Sequence, residues 1–145
     1  MATWQFDLFL VGEGSVAPVF VEEYWDIPPL PAASTLHAQE ILLGSIGNPW
    51  LMLDNWIVFG DEGGTRVDFS FYDADEVEIR VRLSALGTES ELDAVCDFTA
   101  ALRCTLFDPA TGATIQPDRK SVASALAGSR AAAFTRSPRA FLSEL

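Results

Sequence analysis

The chain is poor in the residues from which catalytic and metal sites are usually built. Its 145 residues include one histidine (His37), two cysteines (Cys96 and Cys104) and one lysine (Lys120). A single imidazole can serve at most one nucleophile–histidine pair, and no serine stands in a Gly-x-Ser-x-Gly turn. His37 and Glu40 lie three apart on an expected helix, but two ligands do not make a metal site, and no HExxH run is present. His37 is read as a surface or cap-adjacent residue. The cysteines form no CxxC pair, which argues against zinc. On one helix their eight-residue spacing would separate them by about 12 Å, too far for a disulfide. If Cys104 begins a strand, that geometry is open. Two reduced thiols in a reducing compartment are expected, with no metal and no cofactor.

Long apolar runs are also missing. No stretch approaches the ~20 residues of a membrane span. Met1 to Asp7 contains no Lys or Arg, and Asp7 interrupts the apolar residues, so no secretory leader is expected. A cytoplasmic location follows as the expectation. Positive charge is scarce too: 9 bases face 21 acids, for a net charge of −12. The imbalance is uneven, because residues 1–101 hold 18 of the acids and 3 of the bases, whereas 102–145 hold 3 and 6. Such a body repels nucleic acid and anionic membrane and attracts basic partners. Arg130, Arg136 and Arg139 make the end of the chain basic, and they are expected to pair with the acidic body.

What is present is apolar periodicity sufficient for one domain over 1–145, of α+β class. Thr3–Val11 alternates, with Trp4, Phe6, Leu8 and Leu10 on one face and Gln5 and Asp7 on the other, as in a half-buried strand. Gly12-Glu13-Gly14-Ser15 ends it. Gly12 and Gly14 do not make a dinucleotide loop, because the third glycine is missing and Glu13 would repel a phosphate. Val16–Val21 fits a short strand. Pro28, Pro29 and Pro31 exclude a helix, and an extended loop with its aromatics laid on the body is expected. Ser34 or Thr35 can cap a helix through about Leu43.

Three meander strands are then expected. The first carries Leu51, Leu53, Ile57 and Phe59 against Asp54, Trp56 and Val58. The second follows the Asp61-Glu62-Gly63-Gly64 turn, with Val67, Phe69 and Phe71 inward and Arg66, Asp68 and Ser70 outward. The third follows Asp73-Ala74-Asp75-Glu76, with Val77, Ile79, Val81 and Leu83 inward. The sheet is expected to be antiparallel, of four to six strands, and covered by helices on its apolar face. Thr88-Glu89-Ser90-Glu91 is a capping box opening a helix to about Arg103. Cys104–Phe107 is a strand, Asp108–Gly112 a turn, and Asp118 the cap of a second helix. Ser137-Pro138 opens a last helix with Phe141, Leu142 and Leu145.

Two groups of acids could bind cations or do acid/base work. Asp73, Asp75 and Glu76 have ligand-like spacing, but the sixth and twelfth positions of an EF-hand would fall on Glu78 and Ser84, so a solvated turn is expected. Asp54, Asp61, Glu62 and Asp68 could form a carboxylate pair in a cleft only if the fold brought two of them together. The segment Glu22-Glu23-Tyr24-Trp25-Asp26 has a different character. Large aromatics beside three acids in a proline-stiffened stretch suit a protein anchor, because little entropy is lost on docking.

An acidic chain without a catalytic set, whose hairpins end in Asp-Glu-Gly-Gly and Asp-Ala-Asp-Glu, resembles the small immunity proteins of bacterial toxin systems. That resemblance is one of overall character and implies a non-catalytic protein that neutralises a cognate basic toxin. The expected contacts are Glu22, Glu23, Tyr24, Trp25, Asp26, Asp61, Glu62, Asp73, Asp75 and Glu76. Two alternatives stay open: a small carboxylate-dependent enzyme with a sheet-lined pocket, and a homo-oligomeric structural module such as a homodimer.

Overall fold

The computed structural model describes residues 5–129 together with Ala131, Ala133, Arg136, Ser137 and Arg139. Trp4, Arg130 and the Pro138, Phe141, Leu142 and Leu145 of the last expected helix lie outside the described residues. The architecture is α+β with an antiparallel sheet. Its strands are β1 (Gln5–Gly12), β2 (Val19–Val21), β3 (Tyr24–Asp26), β4 (Leu30–Pro31), β5 (Pro49–Leu53), β6 (Trp56–Gly60), β7 (Arg66–Phe71), β8 (Glu76–Ser84), β9 (Cys104–Asp108) and β10 (Ala113–Ile115). Among the described residues the α-helices that accompany them are α1 (Gln39–Ser45), α2 (Glu89–Ala101) and α3 (Arg119–Ala127). Eight strands form one sheet in the order β10-β9-β1-β8-β7-β6-β5, with β4 beside the start of β8, while β2 and β3 form a separate hairpin. The sheet is thus larger than the four to six strands expected.

The connection through α2 organises the middle of the sheet. Both β8 and β9 run antiparallel to β1, so α2 carries the chain past β1 in a split β-α-β unit. Its start is secured as the sequence indicates. Thr88 Oγ1 accepts from the Glu91 backbone N–H at 3.1 Å, and the Glu91 carboxylate accepts from the Thr88 N–H at 2.8 Å. Asp118 likewise caps α3 by accepting from the Ser121 N–H at 2.7 Å.

Elsewhere local chemistry overrides the expected elements. The run from Leu51 to Phe59 is not one strand but two, β5 and β6, turning at Asp54-Asn55. Asn55 holds both backbone groups of Phe71: its carbonyl accepts from the Phe71 N–H and its side-chain amide donates to the Phe71 carbonyl. The register slips by one residue before this turn, because Leu51 pairs with Ile57 but Leu53 with Trp56, and Leu51 and Leu53, expected on the apolar face, are both exposed. The expected helix capped by Ser34 or Thr35 is instead a 3₁₀ turn at Ala32–Thr35 followed by α1. Both hydroxyls donate back to carbonyls three residues earlier, Pro31 and Ala32, which ties them to the turn and leaves them unable to cap α1.

One large apolar cluster joins the helices to the sheet. It includes Leu8, Val67, Phe69, Ile79, Val81 and Leu106 from strands, Leu42 from α1, Val95 and Phe98 from α2, and Val122 from α3. The Phe69 and Phe98 rings meet edge to face at 5.8 Å.

Candidate functional site

The opposite face of the sheet differs from the expectation. Registry aligns Val58, Asp68, Arg80 and Phe9 across β6, β7, β8 and β1, and aligns Gly60, Arg66, Arg82 and Asp7 in the next row. Arg66 and Asp68, expected to face outward into solvent, are buried to 2% and 1% exposure. They form a bidentate pair, with Arg66 Nε and a terminal nitrogen donating to the two Asp68 oxygens at 2.9 and 2.8 Å. Asp68 also accepts from Trp56 Nε1 at 2.9 Å and from Arg80 at 3.4 Å. The Arg80 guanidinium lies 5.9 Å from the centre of the Trp56 ring. Gln5 and Asp7, also expected on the solvent side, are buried as well. Asp7 Oδ1 lies 3.2 Å from Arg82 Nε but accepts no hydrogen bond. Burial pushes the Asp7 carboxyl above its ordinary pKa, against the opposing pull of Arg82 and Arg80. Burial likewise lowers Arg82, helped by the like charge of Arg80. Three of the nine bases of an acidic chain are therefore spent on an internal ionic layer.

The other half of that face carries the β2–β3 hairpin. Phe20 and Trp25 are cross-strand partners with ring centroids 5.2 Å apart. Trp25 also meets Phe107 edge to face at 4.8 Å, and its Nε1 donates to the Pro109 carbonyl at 2.9 Å. With Val11, Ile27 and Phe9 the Trp25 and Phe107 rings form a second, smaller core, at whose margin Phe20 stays exposed. Trp25 is thus an internal anchor. The segment expected to be an extended loop is a tight hairpin because Glu22 adopts φ 58, a left-handed conformation that closes a two-residue turn.

With Trp25 turned inward, the alternate residues Val19, Val21, Tyr24 and Asp26 face away from the body. Val19 is 57% exposed and Tyr24 61%. Asp26 lies near Tyr72, at the turn between β7 and β8. Burial, a 2.5 Å hydrogen bond to Glu78, and the charges of Glu78, Asp26 and Glu76 together raise the Tyr72 phenol above its ordinary pKa. Asp73, Asp75 and Glu76 are exposed at the same turn. Asp73 Oδ1 accepts from the Asp75 and Glu76 N–H groups at 2.7 and 3.0 Å, so Asp73 shapes the turn.

The ten expected contact residues therefore divide. Glu22, Glu23, Tyr24 and Asp26 are exposed on the hairpin, and Asp26 brings them towards the turn that holds Asp73, Asp75 and Glu76. Trp25 faces inward. Asp61 and Glu62 are exposed at the β6–β7 turn, which lies at the other end of the six-residue β7, roughly 20 Å away. Sequence reasoning missed Val19, Val21, Tyr72 and Glu78 as parts of this surface. The signal for the first two was present, since Val-Phe-Val and Tyr-Trp-Asp flank Glu22-Glu23 as two short alternating runs.

His37 is exposed, and among the described residues no group of three or more His, Cys, Asp or Glu is placed to hold a metal ion. Nor is any described helix long and apolar enough to cross a membrane. Among the described residues Arg119 pairs with Asp93 and Glu89 of α2, whereas Arg136 donates to the Ala127 carbonyl. No family model, curated protein or solved structure matches the chain.

Proposed function

We propose that this chain is a non-catalytic binding protein that docks a basic protein surface. The docking face is the outward side of the β2–β3 hairpin with the acidic β7–β8 turn beside it. The observation that carries this reading is the exposure of Val19, Val21 and Tyr24 on a hairpin whose own anchor, Trp25, is already engaged. Exposed apolar groups held together and rimmed by charge favour partner contact over solvation. Asp26, Glu76 and Glu78 supply the rim, and they give the surface the sign that steers a cationic partner. In its specific form the reading is an immunity protein that neutralises a cognate toxin in the cytoplasm of the producing cell.

The test uses a photo-cross-linking amino acid placed at Tyr24 or, as control, at Leu43 of α1, which is also exposed. Cross-linking in the source cell should give one stoichiometric adduct of a basic protein at position 24 and none at 43. Equal labelling at both positions, or none at 24, would sink the docking face. Co-expression separates the specific form from the general one. A neighbouring gene whose product is toxic alone should be tolerated with this chain and toxic again with the Tyr24→Ala, Asp26→Lys variant.

A further inference from the structure

The two edges of the main sheet are unequal. β10 closes one side with three residues, Ala113–Ile115. β5 ends the other with five, Pro49–Leu53, and among the described strands it pairs with β6 alone. Leu51 is 66% exposed and Leu53 61%, exposures that a strand flanked on both sides does not allow. The Trp50 indole is held back towards its own sheet, where Nε1 donates to the Gly60 carbonyl of β6 at 2.7 Å. Such an edge offers its outward N–H and C=O groups to another strand. Its protection is partial. Pro49 withholds one N–H and the register slip between Leu51 and Leu53 shortens the regular stretch, but no charged side chain stands on β5.

Charge decides which strand fits. Residues 41–53 contain none of the chain's 21 acids and 9 bases. A basic partner finds no carboxylate along this edge to draw it, whereas a second acidic copy finds none to repel it. The sequence of β5 is also compatible with itself. Antiparallel pairing across a two-fold axis at Leu51 sets Leu51 opposite Leu51, Trp50 opposite Met52 and Pro49 opposite Leu53. One row further out Asn48 meets Asp54, so no acid faces an acid.

We propose that β5 is a self-association edge, which pairs antiparallel with the β5 of a second copy about Leu51 and continues the sheet from one protomer into the next. Five residues span about 17 Å of strand, so the interface is small and the dimer weak and reversible. The β2–β3 hairpin packs on β1 and β9, and β8, β7 and β6 lie between β1 and β5. That separation is about 19 Å, and the dimer keeps both docking faces open. The edge does not depend on the docking surface and would stand if that reading failed.

The test is sedimentation equilibrium of the full chain from about 10 to 500 μM, in low and in high salt. The mass should rise from monomer toward dimer, and further in high salt, because screening relieves the repulsion between two chains of net charge −12. Docking of a basic partner has the opposite salt dependence, so the two readings fail separately. Leu51→Glu sets acid against acid and should weaken association by about tenfold or more. Val16→Glu, the same change at an exposed site between β1 and β2, should weaken it by less than about twofold. Leu51→Cys supplies a check that does not rely on losing the dimer. Directly opposite residues of antiparallel strands have Cα atoms about 4.5–5.5 Å apart, within disulfide range, so mild oxidation should link two copies at position 51. Val16→Cys should stay unlinked, and the buried Cys96 and Cys104 do not compete. A monomer at every concentration, a dimer that salt weakens, equal effects of Leu51→Glu and Val16→Glu, or no more disulfide at 51 than at 16 would overturn the proposal.

Discussion

The two faces of the sheet solve the same burial problem with opposite chemistry. One face packs Leu8, Val67, Phe69, Ile79 and Val81 against helical side chains such as Val95 and Phe98. The other buries Arg66 and Asp68 as fully, in a layer of ion pairs bounded by Trp56 and Arg80. The apolar face gains from area removed from water, whatever the partner's identity. The ionic face gains only while each charge keeps its partner, because desolvation is already spent. The first should therefore degrade in proportion to the volume removed, and the second should fail at a single atom.

The largest expected effects test this contrast directly. Phe98→Ala should cost about 3–5 kcal/mol through the cavity it leaves. Asp68→Ala should cost a similar amount, about 3–5 kcal/mol, although it removes a much smaller side chain, because it strands Arg66 at 2% exposure. The difference lies in rescue. Adding Arg66→Met to Asp68→Leu removes both charges and should recover most of the loss, whereas no polar change repairs Phe98→Ala. Urea titrations of the four proteins decide it. A cost below about 1 kcal/mol for Asp68→Ala would mean that the ionic layer does not hold the second face.

Next in size is the hairpin. Trp25→Ala removes contacts with Phe107 and Phe20 and the hydrogen bond to Pro109, on a ring that is only half-buried. About 2 kcal/mol is expected, less than for a fully buried ring. Tyr24→Ala, one residue away on the outward side, should change stability by no more than about 0.5 kcal/mol. For the partner the second change should matter on its own account, weakening binding by roughly 2 kcal/mol if Tyr24 is a central anchor. Thermal melts paired with binding measurements separate the two. Equal losses of stability for Trp25→Ala and Tyr24→Ala would erase the distinction between anchor and contact.

The contrast between faces also explains what could be read in the sequence. Period-two alternation assigned Val67 and Phe69 to one face and Arg66 and Asp68 to the other, and the register bears out that division. What alternation could not supply was the environment of the second face. A charged residue on a strand is ordinarily solvated, and nothing local distinguishes Arg66 from Arg80, which keeps more exposure. The pairing of Arg66 with Asp68 is local in sequence, but the Trp56, Arg80 and Arg82 neighbours come from β6 and β8. The α2 capping box was legible because both of its bonds lie within four residues. The hairpin was not, because its turn holds Glu22 in a left-handed conformation that usually announces itself by Gly or Asn. Tyr24 and Asp26 were legible as contacts by residue type, whereas Tyr72 and Glu78 joined them only through the fold.

The smallest effect reports on the apolar face alone. Cys96 on α2 and Cys104 on β9 both belong to its cluster, and burial pushes each thiol up to about 11. A raised pKa means less thiolate at any given pH, so alkylation of the folded chain at pH 8 should be slower than that of an unstructured cysteine peptide. Stability follows with a definite sign. The fold prefers the neutral thiol, so below pH 9 its contribution is complete. As pH rises from 9 to 11 the unfolded chain releases these protons before the folded one does, and stability falls. Cys96→Ala, Cys104→Ala should reduce that slope, most clearly between pH 9 and 10 before the raised Tyr72 phenol adds its own share of the same sign, at some cost in packing. Trp25→Ala should leave the slope unchanged, since it disturbs only the other face. A slope that flattened in Trp25→Ala would show that the two faces do not open independently.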